Sequence, residues 1–166
     1  QPEVVQPNFP ISGEDESWAR SVLNSFDFSP HRGPLIGFHS GKGLPLSPDR
    51  WPSQHFGRMA KSLQERLDAR LVLTGGPGEV EIVKQVASHL QTPVLNLAGE
   101  TTVKQLAALQ QQLDAYVCPD SGPMHLAATV GTPVVGIYAL DEDFPDRWAP
   151  FGTIHKRVRP PRPACP

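Results

Sequence analysis

The stretch CPDSGPMHLAATVGTPVVGIYA, residues 118–139, decides the fold. It reads as the end of one strand, a sharp turn, a short helix closed by Gly131 and a second strand. Pro123 suits the first helical turn, where its missing N–H is not needed. Ser121 or Gly122 then serves as the cap. The N–H groups of Gly122, Met124 and His125 would face whatever sits above the strand. Together with the helix dipole they favour an anion, and phosphate is the usual one. The Ser121 hydroxyl can donate to a phosphate oxygen, and Gly122 admits a close approach to the backbone. A carboxylate repels an anion, so Asp120 is expected to face a sugar hydroxyl or a backbone amide. The plainer alternative is a capped helix with Asp120 bracing the turn. His125 is equally readable as a structural residue or a ligand contact. A hydrolytic triad of Asp120, Ser121 and His125 is disfavoured, because there is no G-x-S-x-G elbow and Asp120 adjoins Ser121.

Outward from this stretch the same pattern repeats. Upstream, residues 35–39, 70–75, 93–99 and 114–120 are short apolar strands, and residues 133–139 make a fifth. Between them, residues 53–67 place Phe56, Met59, Ala60, Leu63 and Leu67 on one helical face, with Ser53 as the N-cap. A helix after GPGE carries Val83, Val86, Ala87 and Leu90 on one side. Residues 101–113 form a helix capped by Thr101 or Thr102, with Val103, Leu106 and Ala107 inward. Continuous apolar strands alternating with amphipathic helices imply an α/β fold, a Rossmann-like parallel sheet with helices on both faces. Right-handed crossovers give the strand order 3-2-1-4-5. Ligands of such sheets bind beyond the carboxyl ends of the strands, near the switch between strands 1 and 4. Topology therefore gathers the three most unusual loops, SGKGLPLSPDRWP, TGGPGE and PDSGPMH, on one edge.

The first of these is not a Walker A loop. Gly37 and Gly41 are too close, and Gly43 follows Lys42 where Ser or Thr belongs. Ser40, Gly41, Lys42 and Gly43 still form a glycine-rich loop, and Lys42 or Arg50 can neutralise phosphate charge. In the second loop, Glu79 opens a helix. A carboxylate there either stabilises the dipole or holds a ribose. The pattern is not G-x-G-x-x-G after strand 1, which argues against a nicotinamide site.

The chain has 166 residues, 39% of them hydrophobic and 19% charged, with a formal charge of −2. That is the size and composition of one globular domain, without a basic face for nucleic acid. No apolar run approaches the roughly 18 residues of a membrane span. Cys118 and Cys165 show no metal spacing. Cys118 is expected to be a buried thiol, and so few cysteines suit a reducing compartment. The start, QPEVVQPNFP, lacks the regions of a signal peptide and has no initiating Met. It reads as the edge of an excised piece. Residues 1–30 are expected to be a proline-rich interdomain linker and a helix over 14–25. Residues 31–155 are expected to form the Rossmann-like domain, and 156–166 a truncated tail.

The segments DRWPSQHFGRMAKSL, LVLTGGPGEVE and VLNLAGETTVKQLAALQQQLDAYVCPDSGPMHLAATVGTPVVGIYA resemble the ADP-heptose:lipopolysaccharide heptosyltransferase family, glycosyltransferase family 9, in their order of parts over residues 35–152. The resemblance implies the donor-binding, C-terminal half of a two-domain GT-B glycosyltransferase that adds heptose to the lipopolysaccharide core. In that frame Asp120 holds hydroxyls of the donor heptose. Ser121, Gly122 and the helix start, including Met124, bind the diphosphate, and His125 supports them. Glu79 binds the adenosine ribose, and Ser40, Gly41 and Lys42 lie near the phosphates. The family carries Lys before the "rWP" box. Asp49 stands there instead and removes a phosphate-binding cation, for which Lys42 or Arg50 can compensate. Catalysis is metal-independent and uses no cofactor beyond the donor, an ADP-heptose-like nucleotide sugar. The base is expected in the missing N-terminal domain, so no catalytic residue is assigned in this chain, which alone is expected to be inactive. The missing domain also meets the lipopolysaccharide-core acceptor and any peripheral membrane contact. Cytoplasmic location and no nucleic-acid partner follow. The alternatives are the donor domain of another GT-B enzyme, such as a sugar-nucleotide epimerase, or a non-catalytic nucleotide-sugar binding module.

Overall fold

A computed structural model describes residues 8–41, 51–138 and 146–159. Among the described residues the α-helices and strands are, in chain order, α1 Gly13–Ser25, β1 Leu35–His39, α2 Ser53–Leu67, β2 Arg70–Thr74, α3 Val80–Ala87, β3 Leu95–Asn96, α4 Val103–Gln110, β4 Ala115–Pro119, α5 Gly122–Thr129, β5 Val134–Ile137 and β6 His155–Val158. The strands form one sheet in the order β3-β2-β1-β4-β5-β6, and every pairing is parallel. The expected order 3-2-1-4-5 is present, with β6 added at its end. Residues 156–158 read as tail because the segment His155-Lys-Arg-Val lacks an apolar run. On an outer strand, alternate side chains can stay in water, so polar residues suffice. β6 pairs from Val134↔His155 to Ile137↔Val158.

Strands β1, β2, β4 and β5 are buried on both faces, and their residues divide between two opposite cores. One core takes Leu35, Val72, Tyr116 and Cys118 from the sheet, with Ala107-adjacent Ala108 and Leu109 of α4, Met124 and Ala127 of α5, and Ala19 of α1. The other takes Ile36, Phe38, Leu71, Leu73 and Val117, with Phe56 and Ala60 of α2 and Val83 and Val86 of α3. Gly37 has no side chain for a reason: a Cβ there would collide with Leu113 and the Tyr116 ring.

Four details differ from the sequence reading. The third strand is only Leu95–Asn96. The Asn96 side chain accepts from the Ala98 N–H at 3.0 Å, and Gly99 turns at φ 79°, so the chain leaves the sheet early. Ser53 is not the cap of α2: Pro52 occupies that position, and the Ser53 hydroxyl donates to Gln85 Oε1 at 2.9 Å. Val103 points outward, 63% exposed, and Leu67 is also exposed. Both sit at helix ends, where the apolar stripe passes the rim of the core. Thr102 does cap α4, in a reciprocal box with Gln105. No described helix is long and apolar enough to cross a membrane.

Candidate functional site

The carboxyl ends of β1, β2 and β4 open on the same edge, and the crevice lies where topology put it. A cavity of about 370 Å³ is floored by His39 at the end of β1 and Gly75 and Gly76 after β2. Its walls are Glu79, Thr101 and Thr102 before α4, and Ser121, Gly122 and Pro123 at the start of α5. The start of a helix is thus turned on the cavity, where its dipole favours negative charge.

Glu79 is tightly held. Its Oε2 accepts from the Gly76 N–H at 2.7 Å and lies 3.9 Å from His39 Nε2. The bond closes the 3-10 turn Pro77–Glu79, which leads into α3. Gly41 packs against the same carboxylate, and a Cβ there would run into both Glu79 and His39. Gly41 also lines a neighbouring cavity of about 400 Å³ with Trp51, Phe56 and Pro119. Ser40 is buried, 2% exposed, and is not among the residues lining the main cavity. Lys42, Gly43, Asp49 and Arg50 lie outside the described residues.

At the head of α5, Ser121 holds the N-cap position in an extended conformation without capping through its side chain. Its hydroxyl donates to the Pro119 carbonyl at 3.0 Å, which fixes the turn and gives His125 no nucleophile to activate. Asp120 Oδ1 instead lies 3.9 Å from His125 Nε2. Met124 departs from expectation. Its N–H donates to the Ser121 carbonyl at 3.0 Å, so it does not point freely at the cavity. Its side chain is fully buried in the core, where the sulfur accepts from the Tyr138 hydroxyl at 3.7 Å. The short helix needs an apolar anchor on its inner face, and Met124 supplies it.

Beneath the cavity runs a buried polar chain. Thr74 and Tyr116 share a hydrogen bond at 2.7 Å, and Thr74 also donates to the Phe38 carbonyl at 3.2 Å. Gln110, fully buried, donates to the Pro123 carbonyl at 3.0 Å and accepts on its own carbonyl from Thr132 at 2.7 Å. These bonds tie α4 to the first turn of α5. Burial pushes the Tyr116 phenol and the Cys118 thiol far above their ordinary pKa values, so both are neutral. Burial pulls His39 below its ordinary value of 6.5, against the attraction of Glu79 and the Thr74 backbone. Among the described residues no cluster of three His, Cys, Asp or Glu is placed to hold a metal.

The structure therefore joins Glu79, Ser121 and Gly122 around one cavity, with Asp120 and His125 at its α5 side and Gly41 behind Glu79. Sequence reading missed His39, Thr101 and Leu106 as lining residues. The available signal was a polar residue ending an otherwise apolar central strand, which places it at the ligand edge.

The profile of glycosyltransferase family 9 (heptosyltransferase) matches residues 3–165. The lipopolysaccharide core heptosyltransferase OpsX of Haemophilus influenzae is 43% identical over 127 residues, covering 72% of this chain and 36% of that protein. Lipopolysaccharide heptosyltransferase 2 of Escherichia coli is 33% identical over 139 residues, covering 81% of this chain and 38% of that protein. Among solved structures, a family 9 glycosyl transferase of Veillonella parvula superposes with a TM-score of 0.76 at 26% identity, over 92% of this chain and 42% of that one. The E. coli ADP-heptose LPS heptosyltransferase II does so with a TM-score of 0.74 at 27% identity, over 95% and 47%. The chain thus spans less than half the length of each of these relatives.

Proposed function

The chain belongs to glycosyltransferase family 9, the heptosyltransferases, and from that premise we propose that it is the donor-binding half of an enzyme adding heptose to the lipopolysaccharide core. The observation that carries this reading is the cavity at the β1–β4 switch, with the start of α5 on one wall and the Glu79 carboxylate on another. A nucleoside diphosphate needs both features: backbone N–H groups and a positive helix end for the phosphates, and a carboxylate for ribose hydroxyls.

In this reading the diphosphate of an ADP-heptose-like donor meets Ser121, Gly122 and the first turn of α5. The Thr101–Thr102 segment and Glu79 flank the nucleoside. Asp120, braced by His125, receives hydroxyls of the sugar, and Lys42 is assigned to the phosphates. When the glycosidic bond to phosphate breaks, charge builds on the leaving diphosphate. The α5 dipole is fixed in place to stabilise it, with no metal required. The base that takes the acceptor's proton, the lipopolysaccharide-core site and any membrane contact fall to the part of the relatives' length that this chain does not span. We place the whole enzyme in the cytoplasm, on the membrane face where that acceptor is assembled.

Calorimetric titration of the full-length protein with ADP, UDP and GDP tests the reading. ADP is expected to bind tightest. Glu79→Ala is expected to weaken it about tenfold, the size of one lost charged hydrogen bond, and Asp120→Ala to weaken the nucleotide sugar more than ADP. Equal binding of all three nucleotides, or none of any, would sink it.

A further inference from the structure

His39 has no role in the reading above, yet it occupies the cavity floor. It ends β1, the central strand of the sheet, and is only 4% exposed. Its Nε2 faces Glu79 at 3.9 Å, and its Nδ1 is buried without a partner at hydrogen-bonding geometry. A neutral imidazole carries one N–H, so one ring nitrogen presents a lone pair. Only the imidazolium offers a donor at both.

The charge around the cavity sharpens the point. Its described lining residues include Glu79 and no Lys or Arg. An incoming diphosphate adds negative charge beside a carboxylate that is already there. The helix dipole opposes this with only about half a unit charge. Among the described lining residues, the one able to become a cation is His39.

The other described groups around it do not supply an alternative. From the segment after β2 comes Glu79. On the adjoining β4 the titratable groups are Tyr116 and Cys118, both buried and neutral. α4 and α5 present Thr102, Val103, Leu106, Ser121 and Pro123, none charged. Asp120 and His125 are paired with each other.

We propose that His39 is a ligand-binding residue of this pocket: neutral when the pocket is empty, it takes a proton from solvent when an anionic nucleotide sugar binds, and stands as an imidazolium between Glu79 and the bound anion. Burial holds the empty-state ring neutral. The arriving negative charge favours the protonated ring, and the two equilibria are linked. This rests on the nucleotide-sugar reading of the pocket and adds a cation to it that no motif indicated.

The test is calorimetric binding of ADP-ribose to the full-length protein in buffers of different ionisation heat. ADP-ribose is a diphosphate diester, so its own phosphates do not titrate near neutral pH. The wild-type protein is expected to take up protons on binding, with affinity falling by up to about tenfold per pH unit as pH rises. His39→Gln is expected to bind without proton uptake, while His125→Gln lowers affinity and keeps the uptake. Because His39→Gln sits in a packed site, the wild-type imidazole is also followed by NMR with labelled histidine. The pKa of His39 should rise when ADP-ribose is added. A ring that stays neutral in the complex, or uptake that survives His39→Gln, overturns the role of His39 alone. No binding of ADP-ribose at any pH overturns the nucleotide-sugar reading and this inference with it.

Discussion

Glu79 illustrates how one side chain can serve structure and binding together. Its carboxylate closes the turn after β2 through Gly76 and is backed by Gly41 and His39. Gly41→Ala forces a methyl into that contact. The expected cost is about 1–3 kcal/mol of stability, together with loss of ADP affinity, read from a urea melt and a titration of the same variant. His39 yields a pH prediction with a definite sign. Its folded pKa lies below the ordinary 6.5, so in that window the unfolded chain binds more protons than the native state. Stability contributed by this residue is full above about pH 6.5. It is lost as pH falls towards the lowered folded value, at up to about 1.4 kcal/mol per pH unit. Urea unfolding of wild type and His39→Gln between pH 7 and pH 5 should show the shallower slope in the variant. Equal slopes would remove His39 from the acid response.

The helix α5 is eight residues long, too short to stand on its own propensity. It is held by Met124 below and by Gln110 from α4, whose amide reaches the Pro123 carbonyl. Gln110→Leu keeps the volume and deletes this tie from α4 to the head of α5. A loss of about 0.5–1.5 kcal/mol is expected, with weaker ADP binding because the first turn of α5 is no longer pinned. Unchanged affinity in a destabilised variant would confine Gln110 to the core. At this scale the sequence was informative where chemistry is local. The Asp120-Ser121-Gly122-Pro123 turn, a threonine cap at 101 or 102 and the presence of strands β1 to β5 were readable from period and punctuation. What failed depended on tertiary neighbours. Ser53 bonds Gln85 across two helices, and Met124 is drawn into the core beneath the Tyr138 hydroxyl. β6 is a polar segment made into a strand only by β5 beside it. His39 was hidden for the opposite reason: an apolar run absorbs its last residue until the sheet order shows which end that residue occupies.

Across the whole molecule, two cores share one sheet, and β1, β2, β4 and β5 each contribute to both. Cys118 lies on the α4–α5 side, fully buried, with its thiol held protonated by burial. Alkylation of the Cys118 peptide, followed by mass spectrometry across a urea series, should therefore track global unfolding. Labelling well below the unfolding midpoint would show that this core opens separately. The architecture as a whole was legible because buried parallel strands must be apolar and must be joined by covering helices, whereas the contents of the cavity depend on which loops the finished sheet brings together. That dependence has a consequence in time. The cavity straddles the seam between β1 and β4, whose first tie, from the Leu35 N–H to Asp114, joins residues 79 apart in the chain. β1, β2 and β3 pair with sequence neighbours, as do β4 and β5, so each half can assemble on short loops while the seam waits for the longest closure. In a refolding experiment, the signal of a bound fluorescent nucleotide should lag the recovery of helical circular dichroism: the protein becomes competent only at its last joint.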